Sequence, residues 1–267
     1  MSNVVMEKKF WEDGAGFFGR NYMEGDNSLE GYLKEPQRLE RRTVREVAGV
    51  VKLLGLRPGQ RVLDCPTGYG RHAIGLAGLG LDVVGSDING EMLARAAAAA
   101  GDARGVRFVK ENMQEISYSE EFDAVINLFF SIGFFETEEE NDAVVRNFYN
   151  ALKPGGRFMM HTDINVPRIS AGDYKLRERR NLVSGRQLEI VESFDPSRRR
   201  LTGQWILIDG DGTRQELPPY SHRIYTFEEF AELCHATGFK SVKGYGDWDG
   251  TPLGDSSEDM IVVAEKP

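Results

Sequence analysis

Apolar positions along the chain follow two alternating periodicities. Between residues 39 and 54 they recur at spacings of three, four or seven, which predicts an amphipathic helix ended by Gly55 and Pro58–Gly59. Short apolar runs and helical patterns then alternate. The predicted strands are 61–65, 82–86, 106–109, 122–128 and 157–161, and the predicted helices are 71–79, 90–100 and 137–152. This alternation predicts parallel strands joined by helical crossovers, with helices on both faces of the sheet.

The pattern changes from residue 186 onward. Predicted strands 186–194, 200–208 and 214–225 are separated by turn sequences, and the turn at 209–212 contains Asp-Gly twice, which favours a hairpin. A predicted helix (226–237) and two strands (239–245 and 259–264) follow. We therefore predict an α/β fold: a doubly wound, mostly parallel seven-stranded sheet with an inserted antiparallel β cap.

These patterns divide the chain into a core (36–165 and 226–267), a cap (166–225) and an N-terminal segment (1–35). The N-terminal segment contains six aromatic residues without clear periodicity: Phe10, Trp11, Phe17, Phe18, Tyr22 and Tyr32. This composition is typical of a lid with an apolar inner face. The alternative is that these residues cover an edge of the sheet.

Composition narrows the class of partner. A formal net charge of −9 disfavours nucleic acid and anionic lipid as partners. The N-terminus has no basic stretch followed by an apolar run, which is the pattern of a signal peptide. No apolar stretch approaches the ~20 residues of a membrane helix. Cys65 and Cys234 lack metal-type spacing. We expect a cytoplasmic protein without a metal site, membrane partner or nucleic-acid partner, and exposed cap strands that allow a homodimer.

The candidate chemistry is concentrated in residues 62–71, where a strand ends, a glycine-containing loop turns and a helix begins. Asp64 ends this strand, Gly68 and Gly70 lie in the loop, and Asp87 ends the next strand. In an open parallel sheet, ligands bind outside the carboxyl ends of the strands. A carboxylate at Asp87 suits the two hydroxyls of a ribose.

A nicotinamide or flavin site uses the same crevice, but its Gly-x-Gly-x-x-Gly loop faces a pyrophosphate. An acid at Asp64 repels phosphate and suits the ammonium group of an amino-acid cofactor. The segment therefore favours S-adenosylmethionine (SAM).

The segment resembles the first motif of the class I SAM-dependent methyltransferases, with Pro66 in place of the first glycine. Further resemblances are the acid at Asp87, the pair Asn112–Met113, the segment 127–130 and the turn 152–156. The helix before the first strand contains Arg42, twenty-two residues before Asp64, as in the glycine N-methyltransferases, where an arginine binds the SAM carboxylate. Arg41 is a competing candidate, and a solvated arginine is the alternative. The resemblance implies a SAM site that contains Arg42, Asp64, Pro66, Gly68, Gly70, Asp87, Ile88, Asn112, Met113, Asn127 and Phe129.

Two histidines are candidate catalytic residues. His161 ends the fifth strand and His222 lies where the cap rejoins the core; each is a candidate base or acceptor contact, with a structural role as the alternative. We expect His72 to orient the glycine loop, and the basic run 177–180 to be solvated cap surface.

The resemblance implies methyl transfer from SAM to a nitrogen or oxygen of a small molecule. An amine needs only to arrive neutral, whereas a hydroxyl needs a base within reach. The alternatives are a SAM-using enzyme of another reaction type, such as an intramolecular cyclisation, and a non-catalytic SAM-binding module.

Overall fold

The computed structural model describes residues 8–26, 39–129 and 131–267. Tyr32, Phe130 and the parts of the N-terminal segment at 1–7 and 27–35 lie outside the described residues. The helices of the described residues are α1 (Arg20–Asp26), α2 (Leu39–Leu54), α3 (Arg71–Gly78), α4 (Gly90–Ala100), α5 (Glu138–Ala151), α6 (Val166–Ala171) and α7 (Phe227–Thr237). Their strands are β1 (Arg61–Asp64), β2 (Asp82–Asp87), β3 (Val106–Lys110), β4 (Phe122–Asn127), β5 (Leu152–Thr162), β6 (Arg177–Asn181), β7 (Gln187–Asp195), β8 (Arg200–Ile208), β9 (Arg214–Glu216), β10 (Tyr220–Arg223), β11 (Ser241–Tyr245) and β12 (Met260–Glu265).

Seven strands form the main sheet, in the order β11-β12-β5-β4-β1-β2-β3. The neighbours from β5 to β3 pair in parallel, and β12 pairs antiparallel with β5. The predicted fold is confirmed. The strand order reverses between β1 and β4, so the crevice for a ligand lies at the carboxyl ends of these two strands.

The central strands are buried on both faces, which explains their continuous apolar sequences. On one face Leu63 and Val125 pack in a cluster with Phe148 of α5 and Phe230 of α7. On the other face Val62 belongs to a cluster with residues of α2 and α3. The two clusters fix the sheet between its helix layers and therefore fix the loops at its carboxyl edge.

A second, antiparallel sheet has the order β10-β8-β7-β6, with β9 paired to β8. Its inner face forms a third cluster, in which Leu188, Leu207 and Tyr220 pack with Phe17 of the N-terminal segment. The described part of that segment therefore lies against the cap.

The structure corrects the predicted elements at three places. The predicted strand 214–225 is divided into β9 and β10 because Pro218 and Pro219 interrupt the ladder, where proline has no N–H to donate. The short helices α1 and α6 were not predicted. The run 177–180 is part of strand β6, not a featureless solvated surface.

A membrane span was not expected from the sequence. In the described ranges 8–26, 39–129 and 131–267, no helix is both long and apolar enough to cross a bilayer.

Candidate active site

A cavity of about 720 Å³ opens at the carboxyl edge of the main sheet. Its lining comes from the loop after β1, the ends of β2 and β4, the segment after β5, the cap and the N-terminal segment. This volume is in the range of small-molecule sites. The cavity therefore lies where the sequence places the crevice.

The loop between β1 and α3 forms one wall of the cavity. Asp64 is buried, and its carboxylate accepts a hydrogen bond of 2.7 Å from the Thr67 hydroxyl. Burial raises the pKa of Asp64 to about 7. The Thr67 N–H donates to the Ser86 carbonyl over 2.8 Å, which ties the loop to β2.

Two glycines of this loop have different environments. Both have positive φ, 57° at Gly68 and 80° at Gly70. A Cβ on Gly70 would lie 2.8 Å from the Ala96 Cβ and 2.9 Å from the Phe108 ring, whereas a Cβ on Gly68 would have its nearest contact 3.7 Å away, at the Met92 methyl. Gly68 lines the cavity, while Gly70 permits close packing of α3 on α4 and β3.

This difference predicts that alanine substitution at Gly68 and at Gly70 lowers the stability of the protein by unequal amounts. Gly68→Ala is expected to lower the free energy of unfolding by about 1 kcal/mol, through the left-handed backbone alone. Gly70→Ala adds a steric clash in the core, so we expect a loss of about 2 kcal/mol. Denaturant unfolding of both variants measures the difference. Equal losses would contradict the packing role of Gly70.

Asp87 is buried at the end of β2. One carboxylate oxygen accepts from the Gly68 N–H and the other from the Asn89 N–H, each over 2.8 Å. Burial raises the pKa of Asp87. A carboxylate has about four lone-pair sites, so each oxygen can accept a further bond from a ligand. Asp87 and the next residue, Ile88, both line the cavity.

Asn112 and Met113 continue this wall beyond Ile88. The Asn112 side-chain carbonyl accepts from the Gln114 N–H over 3.1 Å, which fixes the amide. Its NH₂ group and the second lone pair of its oxygen can still meet a ligand. Met113 is 9% exposed and belongs to the core cluster as well as to the cavity wall.

Asn127 lies behind the cavity rather than on its surface. Its amide is fully buried and donates to the Cys65 carbonyl over 2.8 Å, so it supports the glycine loop from below. Pro66 and Phe129 do line the cavity. Phe129 has φ 57°, the left-handed region that bulky side chains rarely adopt.

A buried charge cluster lies at one end of the cavity. Arg42 is 3% exposed and pairs with Asp26 over 3.2 Å, and both line the cavity. Glu46 contacts Arg71 and lies 2.9 Å from the His72 ring. Burial alone would raise the pKa of Glu46, but Arg71, His72 and Arg42 together hold it well below its usual value.

His72 is neutral in this cluster. Burial, together with the nearby Arg71, lowers its pKa to about 4. Its contact with Glu46 anchors the start of α3 to α2, which fits the predicted role of orienting the glycine loop.

Carboxyl groups from β7 and from the segment after β5 form a polar wall on the cap side. Glu192 is 9% exposed and accepts hydrogen bonds from the hydroxyls of Tyr174 and Tyr220. Burial raises its pKa to about 7. Asp163 lines the same space, and burial raises its pKa as well. Neither acid forms an ion pair with a lysine or arginine of the described residues.

Arg180 corrects the expectation for the basic run. Its side chain is 14% exposed, lines the cavity and pairs with Glu178 of the same strand. Alternate residues of a strand share a face, so 178 and 180 point inward while 177 and 179 point to solvent.

Aromatic rings line the cavity beside this polar wall. Phe10 contacts Phe134 with ring centroids 4.9 Å apart, and Tyr22 stacks on Trp205 at 5.3 Å. His222 lies against Phe134 at 5.4 Å, and burial lowers its pKa to about 3, so it is neutral. The N-terminal segment and the cap thus enclose this part of the cavity together.

The two candidate histidines are placed differently. His222 lines the cavity, but His161 does not and is fully buried beneath Phe129, with its ring 3.0 Å from the Asp259 carboxylate. Sequence reasoning missed Asp163, two residues after His161. The only signal in the sequence is an acid directly after a strand that ends at the crevice.

Residues 62–156 match the family of methyltransferase domains. A glycine/sarcosine N-methyltransferase of Aphanothece halophytica is 27% identical over 251 residues, which cover 89% of each chain. These similarities support a class I SAM-dependent methyltransferase. SAM is the cofactor of this methyltransferase.

Solved structures share the fold. The CcbJ methyltransferase from Streptomyces caelestis superposes with a TM-score of 0.75 at 20% identity, covering 97% of this chain and 98% of its own. The sugar N-methyltransferase KedS8 from Streptoalloteichus sp. ATCC 53650 superposes with a TM-score of 0.66 at 16% identity, covering 100% and 99%. Because the likeness extends over nearly the whole chain, it includes the cap and the described part of the N-terminal segment.

Proposed function

We propose that this methyltransferase transfers the methyl group of SAM to an amine nitrogen of a small molecule. The observation that carries the proposal is the pair of cavity carboxyls, Asp163 and Glu192, which form no close ion pair with a lysine or arginine of the described residues, although Arg180 is near enough to offset part of the rise in the pKa of Asp163. A buried carboxylate without a cation is unfavourable. A protonated amine supplies the missing positive charge.

Apart from Asp163, the cavity residues that come from the core (36–165 and 226–267), which we call the core wall, fit the groups of SAM. Asp87 has lone pairs for the two ribose hydroxyls, and Asn112 and Met113 offer an amide and an apolar surface to the adenine. Asp64 suits the ammonium group, and Arg42 suits the carboxylate. When bound, SAM supplies an already activated methyl group, so the protein has to place the acceptor and exclude water.

The part of the cavity formed by Asp163, the cap and the N-terminal segment, which we call the acceptor half, has to bind the amine and free its lone pair. A protonated amine cannot act as a nucleophile, so its proton must leave before transfer. Asp163 follows β5 at the same sheet edge as Asp64 and Asp87, which brings it nearer the core wall than Glu192 of the cap. We assign Asp163 as the proton acceptor and Glu192 as a more distant anchor.

The aromatic rings of the cavity support the same assignment. Rings from the N-terminal segment and the cap exclude water and offer faces to a cation. We propose that residues 1–35 and 166–225, together with Asp163 directly after β5, hold the acceptor, while the remainder of 36–165 and 226–267 holds SAM. Two of the three proteins reported above, the glycine/sarcosine N-methyltransferase and the sugar N-methyltransferase KedS8, are named as N-methyltransferases, which supports an amine acceptor here.

Transfer to a hydroxyl oxygen is a second candidate. It is favoured by His222, a neutral imidazole that lines the cavity, but burial lowers the pKa of His222 to about 3, which makes it a weak base. Transfer to a hydroxyl needs no cationic substrate, so this candidate leaves the charges of Asp163 and Glu192 unexplained.

The test is incubation with SAM and a panel of primary and secondary amines, each matched to the alcohol of the same carbon skeleton. We expect S-adenosylhomocysteine and a methylated amine, with the matched alcohols unreacted. Methylation of alcohols alone would support the hydroxyl candidate and overturn the proposal. Methylthioadenosine as the product would indicate another SAM reaction, and SAM binding without consumption across the panel would indicate a binding module.

A further inference from the structure

Phe129 holds an unfavourable backbone conformation next to the cavity. Its φ of 57° places a bulky side chain in the left-handed region, which is unfavourable and persists only where the surroundings impose it. It lies two residues after the end of β4, and its ring forms part of the cavity wall. Such outliers are concentrated at functional sites.

One buried side chain, His161, contacts this strained residue from below, and a second, Asp259, contacts His161. The Phe129 N–H donates to Nδ1 of His161 over a long 3.4 Å, and the two rings lie 4.7 Å apart. The Nε2 atom of His161 lies 3.0 Å from the Asp259 carboxylate. A backbone N–H can only donate, so Nδ1 accepts and the ring proton of the neutral imidazole is on Nε2, facing Asp259.

This pair is sealed from solvent. His161 is 0% exposed and Asp259 1% exposed, and the Trp248 ring lies 4.6 Å from the imidazole. Neither His161 nor Asp259 lines the cavity. Their packing contact with the cavity wall therefore runs through Phe129.

The Phe129 ring also contacts the buried charge cluster. The Arg71 guanidinium lies 4.8 Å from the ring centroid, and the His72 ring lies 5.8 Å away and nearly parallel. The ring thus fixes the cavity wall beside Arg71 and Arg42, where we place the methionine part of SAM. A different φ at Phe129 would move the ring away from this wall.

We propose that Asp259 and His161 are positioning residues that hold Phe129 in its left-handed conformation, in which the ring shapes the SAM cavity. Asp259 orients the imidazole, the imidazole fixes the Phe129 N–H, and the ring completes the wall. The proposal concerns cofactor binding, so it does not depend on the identity of the acceptor.

Two substitutions at His161 separate its two contacts. In His161→Asn the side-chain carbonyl lies near the position of Nδ1 and can still accept from Phe129, while in His161→Gln the amide lies near Nε2 and meets Asp259 instead. Calorimetry with SAM is expected to show affinity within ~3-fold of the parent for asparagine and at least ~10-fold weaker for glutamine. His235→Gln is the matched control, because His235 of α7 contacts the backbone carbonyl of Phe239, just beyond the end of that helix, and should leave SAM affinity unchanged.

The outcomes are distinct. Equal loss of SAM affinity in both His161 variants, together with lower thermal midpoints, would mean a structural role only and would overturn the proposal. If either variant fails to fold, Phe129→Gly decides, since glycine adopts this φ without strain and removes only the ring. We expect its SAM affinity to fall by ~10-fold without a large loss of thermal midpoint, and parent-like affinity would overturn the proposal. Nitrogen NMR of the imidazole should show the neutral Nε2–H form of His161.

Discussion

Replacing Asp87 with alanine is expected to weaken SAM binding by roughly 100-fold, about 3 kcal/mol, because two charge-assisted hydrogen bonds to the ribose are lost. The carboxylate also accepts from the Gly68 and Asn89 N–H groups, so the variant loosens the loop that faces the cofactor. Both effects act in the same direction. Titration calorimetry of the purified variant with SAM measures the sum.

Two controls separate these effects. Asp82→Ala removes the acid at the other end of the same strand, where the side chain is 58% exposed, and should leave SAM affinity unchanged. A SAM analogue without the ribose 2′-hydroxyl should lose less affinity in Asp87→Ala than SAM does. If Asp87→Ala binds SAM as tightly as the parent protein, the ribose assignment is wrong.

The alternation of short apolar runs with apolar residues at helical spacing was sufficient to predict the main sheet, because buried parallel strands and amphipathic helices have distinct sequence patterns. Asp64 and Asp87 were identifiable as a pair because two adjacent parallel strands end at the same edge of the sheet. Their placement in one cavity follows from the β1–β2 register, which sets Asp64 opposite Gly85.

Other features depend on contacts distant in sequence. Strand β6 has the sequence of a charged surface segment, and only its pairing with β7 turns Glu178 and Arg180 inward. Asn127 lies in a segment that resembles a family motif, yet its side chain points to the Cys65 carbonyl. The burial of His161 depends on Trp248 and Asp259, nearly a hundred residues away, which no local pattern encodes.

Asp163→Asn is expected to lower kcat/KM for the amine acceptor by about 100-fold, since a positioned proton acceptor contributes roughly that much or more. Asparagine keeps the size of the side chain but cannot take the proton or balance the ammonium charge. SAM affinity should stay within ~3-fold, because Asp163 belongs to the acceptor half. Asp173→Asn, which changes an exposed carboxylate at the cavity, is the matched control and should stay near the parent value.

The pH dependence of kcat/KM tests whether Asp163 accepts the proton of the amine. Burial raises the pKa of Asp163, so the active carboxylate is present above that raised pKa and is lost as pH falls through it. In the parent protein the ammonium form of the acceptor binds and gives its proton to Asp163, so kcat/KM should fall on the acid side as Asp163 takes up a proton from solvent. In Asp163→Asn only the dependence of the free amine should remain. An unchanged acid limb, or a loss of SAM affinity as large as the loss of kcat/KM, would contradict the role of Asp163 as proton acceptor.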